Sequence, residues 1–158
     1  MKQLEEFTLT RRAVLAGIMA TALPSLVAAK NPMIQVWKTP ACGCCAAWVE
    51  HLSSAGFNVT ATDVGQEVLD QVKDRLGVPP ALRSCHTAQI GDYVVEGHVP
   101  AADIELLMNF TPEIVGIAVP GMPIGSPGME MGDEVEPYAT YAFDKTGPTA
   151  IFAKHGDA

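Results

Sequence analysis

The feature that most constrains this chain is a cluster of cysteines between a strand-like and a helix-like segment. The run CGCC, residues 42–45, holds three of the four cysteines in the 158 residues. It follows the apolar, β-rich run 33–38 and precedes residues 46–55, whose apolar spacing predicts a helix. Backbone N–H groups and the helix dipole stabilise thiolates at a helix N-terminus. The cluster therefore predicts a thiolate-based centre on a strand–loop–helix unit.

The pattern that follows predicts an α/β domain with a thioredoxin-like order of elements. Strands are expected at 33–38 and 57–64, helices at 46–55, 66–76 and 101–109, and a hairpin with strands 87–90 and 93–96. These elements give the order β-α-β-α-β-β-α. The length of 158 residues fits one domain of ordinary size.

The C-terminal part predicts an extension of that domain. A short strand is expected at 114–119, followed by a loop over 120–132 in which Gly, Pro and Met dominate and no helix or strand period is present. Residues 138–143 and 149–153 predict a terminal hairpin around the turn 145–147.

The first residues predict an export signal rather than part of the fold. Arg11 and Arg12 precede residues 13–23, an apolar run of 11 residues without charge. This run is shorter than the roughly 20 residues that span a bilayer, but it suits a signal peptide. We therefore expect a twin-arginine signal over 1–29, a mature domain over 30–158 and a periplasmic location. An ordinary secretory signal and an uncleaved anchor are the alternatives.

The charge balance narrows the expected partners. Eighteen Asp and Glu against ten Lys and Arg give a net charge of −8. Nucleic-acid binding needs clustered positive charge, so we expect no nucleic-acid partner. We also expect no membrane association once the signal is removed.

Two chemistries fit the cysteine cluster. Cys42 and Cys45 have the C-x-x-C spacing, which serves thiol–disulfide exchange or the binding of a soft metal. The third thiol, Cys44, would compete in disulfide exchange, whereas for a metal it is a further ligand. We therefore favour metal binding. A purely stabilising disulfide with one spare cysteine is the simpler alternative.

A second candidate segment precedes the predicted hairpin. In a thioredoxin-like order, Cys85 and His86 would face the cysteine cluster, at the position where oxidoreductases of that fold place a cis-proline. We expect both side chains to join the metal site. His98, which follows the hairpin, is a further candidate ligand, whereas His51 and His155 are expected on the surface and in the C-terminal tail. The charged residues Asp70, Lys73 and Asp74 are expected to form a solvated face.

The third candidate group consists of methionines in the Gly/Pro loop. Thioether sulfur is a soft, neutral ligand that suits Cu(I). We expect ligands among Met122, Met129 and Met131. The alternative is that these side chains fill gaps under the loop.

Three segments carry a resemblance to a known family. TPACGCCAAWVEHL (39–52), LGVPPALRSCHTAQIGDYVVEGHVPAADI (76–104) and GIAVPGMPIGSPGMEMG (116–132) resemble small exported proteins long described as a domain of unknown function. That family includes the CopG-type copper-resistance proteins. The resemblance implies a thioredoxin-like domain, a periplasmic location, copper bound by cysteine sulfur, and interconversion of Cu(I) and Cu(II). The family's cysteine positions match Cys42, Cys44, Cys45 and Cys85, and its motif segments also contain His86, His98, Met122, Met129 and Met131.

The residues and the resemblance together predict a periplasmic copper-binding protein for copper resistance. The expected cargo is Cu(I), because its ligands would be soft sulfur atoms. The protein would bind it as a single ion or as a multinuclear cluster, since closely spaced thiolates can bridge metal ions. The expected partners are copper ions and periplasmic copper-export proteins. A thiol–disulfide oxidoreductase using Cys42 and Cys45 is the rival hypothesis, and a structural zinc module is a third.

Overall fold

The computed structural model describes residues 32–156, and the predicted signal peptide lies outside them. The strands are β1 (Met33–Lys38), β2 (Asn58–Asp63), β3 (His86–Ile90), β4 (Tyr93–Gly97), β5 (Gly116–Val119), β6 (Tyr138–Asp144) and β7 (Gly147–His155). The helices are α1 (Gly43–Ser54), α2 (Gln66–Leu76) and α3 (Ala101–Phe110), with a 3-10 turn at Pro80–Leu82. All seven strands form one sheet in the order β2-β1-β3-β4-β5-β6-β7.

This architecture confirms the α/β prediction, the element order through α3 and the C-terminal hairpin. The thioredoxin-like classification goes further than element order and stays a prediction. Helix α1 begins at Gly43, three residues before the predicted start, because Cys42 is the extended N-cap residue. The carbonyl of Cys42 accepts a hydrogen bond from Ala46 N at 3.3 Å. Cys44 and Cys45 therefore lie in the first helical turn.

The pairing of β1 brings the two cysteine segments together. Strand β1 is parallel to β2 and antiparallel to β3, with Lys38 opposite His86. The last residue of β1 therefore lies beside the first residue of β3. The chain that leaves β1 enters the CGCC cluster, and the chain that enters β3 comes from Cys85.

The sheet has a hydrophobic cluster on each face. Val95 of β4 packs in the larger cluster with Trp48 of α1 and Ile104 of α3. Its neighbour Val94 packs in the smaller cluster with Phe143. Consecutive residues of a strand point to opposite faces, so β4 contributes to both. Trp48 thereby packs α1 against this face of the sheet.

Helix α2 corrects the prediction for Lys73, which was expected on a solvated face. Leu69, Val72 and Lys73 form the buried face of this helix, and Lys73 is only 1% exposed. Spacings of three and four residues place these side chains on one side of a helix. Asp70 and Asp74 are exposed, as predicted.

Two histidines also differ from the predictions. His51 is half-buried, and its Nε2 accepts a hydrogen bond from Ala101 N, at the first residue of α3, at 3.1 Å. His155 ends β7 instead of lying in a tail, because β7 pairs antiparallel with β6 and places it opposite Tyr138. The two rings stack, and His155 Nε2 is 2.8 Å from Asp103 Oδ2. Across residues 32–156, no helix has the length and apolar character needed to cross a membrane.

Candidate metal centre

The four cysteines form one sulfur cluster at the junction of α1 and β3. Cys44 Sγ lies 3.4 Å from Cys42 Sγ and 3.9 Å from Cys85 Sγ. All four Sγ atoms are within 4.8 Å of one another. Cysteines about 40 positions apart in sequence therefore bring their sulfur atoms close together, as predicted.

Within this cluster, Cys42 and Cys45 are joined by a disulfide bond. Cys44 and Cys85 are free thiols. The expectation of four thiolates therefore applies to a reduced form of the protein. Reduction of the Cys42–Cys45 bond would make all four sulfurs available to a metal.

A second group of donors shares Cys85 with the cluster. Cys85 Sγ lies 3.1 Å from His98 Nε2 and 3.4 Å from His86 Nδ1. These three ligand atoms are also within 4.8 Å of one another. The structure therefore places both predicted histidines at the sulfur cluster, on the side of Cys85.

The ring of His98 is oriented by the Gly/Pro/Met loop. Its Nδ1 lies 2.8 Å from the carbonyl oxygen of Pro127. A carbonyl only accepts hydrogen bonds, so Nδ1 carries the proton and the neutral ring has its lone pair on Nε2. That lone pair faces Cys85, and a backbone carbonyl behind the ring is the usual support of a metal-binding histidine.

The ring of His86 is buried, as is that of His98, and it packs against an aromatic side chain. It is fully buried and contacts Trp48, with ring centroids 4.3 Å apart. Its Nε2 is buried without a hydrogen-bond partner among residues 32–156. Its Nδ1 is the atom that faces Cys85, so the ring can offer only this nitrogen to the shared volume.

Burial keeps the donors of this group uncharged. Burial, together with the nearby Cys44, raises the pKa of Cys85 to about 12. Burial lowers the pKa of His98, and it lowers that of His86 well below its usual value, with the charges of His98 and Lys73 adding to the effect. At neutral pH both rings are therefore free to bind metal, and a metal must displace the thiol proton of Cys85.

The Gly/Pro/Met loop, residues 120–132, packs directly on the cluster. A Cβ atom at Gly128 would lie 2.6 Å from the carbonyl oxygen of Cys44 and 2.8 Å from Trp48 N. The loop is also held by Ser84, whose hydroxyl donates to the carbonyl of Gly121. The loop thus touches both cysteine segments.

The methionines of this loop differ in exposure. Met129, next to Gly128, is half-buried, whereas Met122 is 52% and Met131 63% exposed. Met122 also lines a cavity of about 510 Å³ with Pro120, Glu136 and Tyr141. The ligand role of the three thioethers stays a prediction.

Comparison with known proteins places the chain in a family. The family model described as "Protein of unknown function, DUF411" matches residues 82–129. The solved structure "Copper resistance protein copG- Form 1" is 45% identical, with a TM-score of 0.73, over 79% of this chain and 98% of that one. This chain belongs to the CopG family. A second CopG structure, "Form 2", is 44% identical, with a TM-score of 0.73, over 80% of this chain and 99% of that one. No curated protein matches the chain.

Two buried polar residues next to the Cys85 segment, Lys73 and Glu96, were not predicted to belong to the site. Glu96 of β4 is fully buried and lies 2.5 Å from Lys73 Nζ. The sequence did contain a signal that Lys73 is buried: it lies four residues after Leu69, on the apolar face of α2. Glu96 had the matching signal, since it lies two residues after the inward-facing Val94.

Substitution at Gly128 tests whether the loop must approach the cluster this closely. Gly128→Ala should destabilise the protein by about 1–3 kcal/mol more than Gly132→Ala, because its methyl group meets backbone atoms of α1. Gly132 is the matched control, since it also has a positive φ, of 67°, but has nothing within 4 Å of an added Cβ. Urea unfolding of the metal-free proteins measures both. Equal losses of stability would show that the close contact with α1 has no energetic weight.

Proposed function

We propose that this protein is a periplasmic copper-binding protein that serves copper resistance. The observation that carries the proposal is the convergence of four cysteine sulfurs from two segments within 4.8 Å. Membership of the CopG family supports copper as the metal, because the solved relatives are copper resistance proteins. Copper is the cargo of the protein in this proposal.

The donor set favours Cu(I). Thiolate and thioether sulfurs are soft ligands, and closely spaced thiolates can bridge several ions. Cys42, Cys44, Cys45 and Cys85 would provide the sulfur core of a mononuclear or multinuclear site. The neighbouring histidines and the loop methionines, His86, His98, Met122, Met129 and Met131, would complete it.

The proposal includes interconversion of Cu(I) and Cu(II), which the Cys42–Cys45 disulfide supports. Oxidation of both thiols to that disulfide releases two electrons and two protons, and the electrons reduce two Cu(II) ions to Cu(I). Anaerobic addition of Cu(II) to the reduced protein should therefore give one disulfide for every two Cu(I) formed. Formation of Cu(I) without a disulfide would contradict this step.

The copper site itself is tested by Cu(I) competition titration of the reduced mature protein. Cys85→Ser should weaken Cu(I) binding by more than about tenfold, because a hydroxyl is a poor ligand for a soft ion. The apparent affinity of the wild type should rise with pH, since Cu(I) displaces the Cys85 proton. Wild-type stoichiometry and affinity in Cys85→Ser would contradict a site shared between the two segments.

The same titration assigns the methionines. Met129→Ala/Met131→Ala should weaken Cu(I) binding, whereas Met33→Ala, which removes an exposed methionine on β1, should not. Wild-type affinity in the double variant would show that the loop methionines serve packing only.

The second candidate function is thiol–disulfide oxidoreductase activity, which the Cys42–Cys45 disulfide also favours. Cys44 Sγ counts against it, because at 3.4 Å from Cys42 Sγ it can compete as an attacking thiol. Insulin reduction separates the two functions. Robust turnover that persists in the Cys44→Ser and Cys85→Ser variants would favour the oxidoreductase over the copper protein.

Export by the twin-arginine route is the final part of the proposal, and periplasmic copper-export proteins are the proposed partners. Arg11 and Arg12 before an apolar run support this location. Changing both arginines to lysine should leave the precursor in the cytoplasm, as seen by cell fractionation. Unchanged export of that variant would show that another route suffices.

A further inference from the structure

A buried carboxylate holds the chain on both sides of Cys85 and His86. Glu96 Oε1 accepts hydrogen bonds from Ser84 N at 2.6 Å and from Lys73 Nζ at 2.5 Å. Its Oε2 accepts from the hydroxyl of Thr87 at 2.5 Å. Lys73 Nζ is also 2.8 Å from the same hydroxyl. Ser84 and Thr87, the residues that flank the Cys85–His86 pair, are thus tied to one carboxylate.

Sheet pairing does not fix this segment by itself. The β3–β4 register begins at Thr87, opposite Glu96, so Ser84 and Cys85 precede the paired residues. The hydrogen bond from Ser84 N to Glu96 ties this segment to β4 beyond the paired residues, and the Ser84 hydroxyl ties it to the carbonyl of Gly121. Ser84 also lies against the next residue of β4, because a Cβ atom at Gly97 would be 2.7 Å from Ser84 Cβ.

The ion pair is a costly way to build a core. Glu96 is fully buried and Lys73 is 1% exposed, so both charges have lost their hydration. Apolar residues of similar volume often replace a buried ion pair without loss of stability. What such residues could not do is accept the hydrogen bonds of Ser84 and Thr87.

We propose that Glu96, held by Lys73, is the positioning residue that sets the place of Cys85 in the copper site. The inference rests on the proposed copper-binding function. Glu96 acts through its hydrogen bonds to Ser84 and Thr87 and does not itself contact the metal. Glu96 also precedes His98 by two residues, and His98 directly follows β4. The end of β4 and the residue after it therefore position the Cys85–His86 segment and supply the third ligand.

Glu96→Gln tests the proposal, with Asp103→Asn as the matched control. The amide keeps the shape of the side chain but turns an N–H group toward donors that need an acceptor. Asp103 is likewise buried, at 5% exposure, and its Oδ2 also binds a threonine hydroxyl, that of Thr140. Both substitutions therefore remove a buried carboxylate, but only Glu96 bonds the residues that flank Cys85 and His86.

Two measurements report on the position of Cys85. The first is alkylation of the metal-free, disulfide-bonded protein by iodoacetamide, with Cys44 as the internal reference thiol. Glu96→Gln should raise the rate at Cys85 relative to Cys44, and Asp103→Asn should not. The second is the Cu(I) affinity of the reduced protein, which Glu96→Gln should lower by about 10- to 100-fold, the usual effect of losing a residue that orients a ligand.

The outcomes separate this inference from the proposed function. If Cu(I) binding depends on Cys85 but Glu96→Gln changes only the melting temperature, as Asp103→Asn does, the positioning role is wrong. If Cys85→Ser binds Cu(I) like the wild type, the proposed copper site is wrong, and the alkylation result still decides whether Glu96 places Cys85.

A milder substitution, at Thr87, tests the positioning role of Glu96 if the Glu96→Gln variant does not fold. Thr87→Val removes one hydroxyl at nearly constant volume and should change both measurements in the same direction. Thr87→Ser retains the hydroxyl and should restore wild-type values. Wild-type Cys85 reactivity and Cu(I) affinity in Thr87→Val would overturn the proposal.

Discussion

The antiparallel pairing of β1 with β3 is the constraint on which the site depends. It puts the end of β1 beside the start of β3, with Lys38 opposite His86. The cluster that follows β1 and the cysteine that precedes β3 therefore meet at one edge of the sheet. A shift in this register would move Cys85 along the edge and separate it from Cys44. The meeting of the four sulfurs is thus a property of the sheet as well as of the CGCC motif.

The surroundings of the cluster make metal binding a displacement reaction. Burial holds Cys85 as a thiol, with a pKa raised to about 12, and keeps both neighbouring histidines neutral. A buried thiolate without a partner is unfavourable, and a soft cation supplies the missing charge. The disulfide at Cys42 and Cys45 adds a second condition, because those sulfurs reach a metal only when reduced. Copper binding is therefore coupled both to release of the Cys85 proton and to reduction of the Cys42–Cys45 disulfide.

The elements of this fold could be read from the sequence because their local signals agree. The period of apolar residues, the turn at Gly91 and the run of Gly and Pro after β5 gave the strands and helices close to their observed bounds. Cys85 could be placed opposite the cluster from the element order alone. The close approach of the Gly/Pro/Met loop to α1 could not be predicted, because it depends on Gly128 fitting against backbone atoms that are distant in sequence.

The errors concern polar residues whose partners come from other elements. Lys73 was assigned to solvent because its charge outweighed its place on the apolar face of α2, and its partner Glu96 lies 23 residues away. His155 was assigned to a tail because the length of β7 is set by pairing with β6. A single sequence shows periodicity and motifs, but it does not show which buried charges find each other.

The central claim is that cysteines of both segments bind the same copper. Anomalous diffraction at the copper edge, from crystals of the reduced and Cu(I)-loaded protein, tests it most directly. Copper peaks are expected at bonding distance from Cys85 Sγ and from at least one sulfur of the CGCC cluster. Copper bound only by one segment, or only by methionines of the loop, would contradict it.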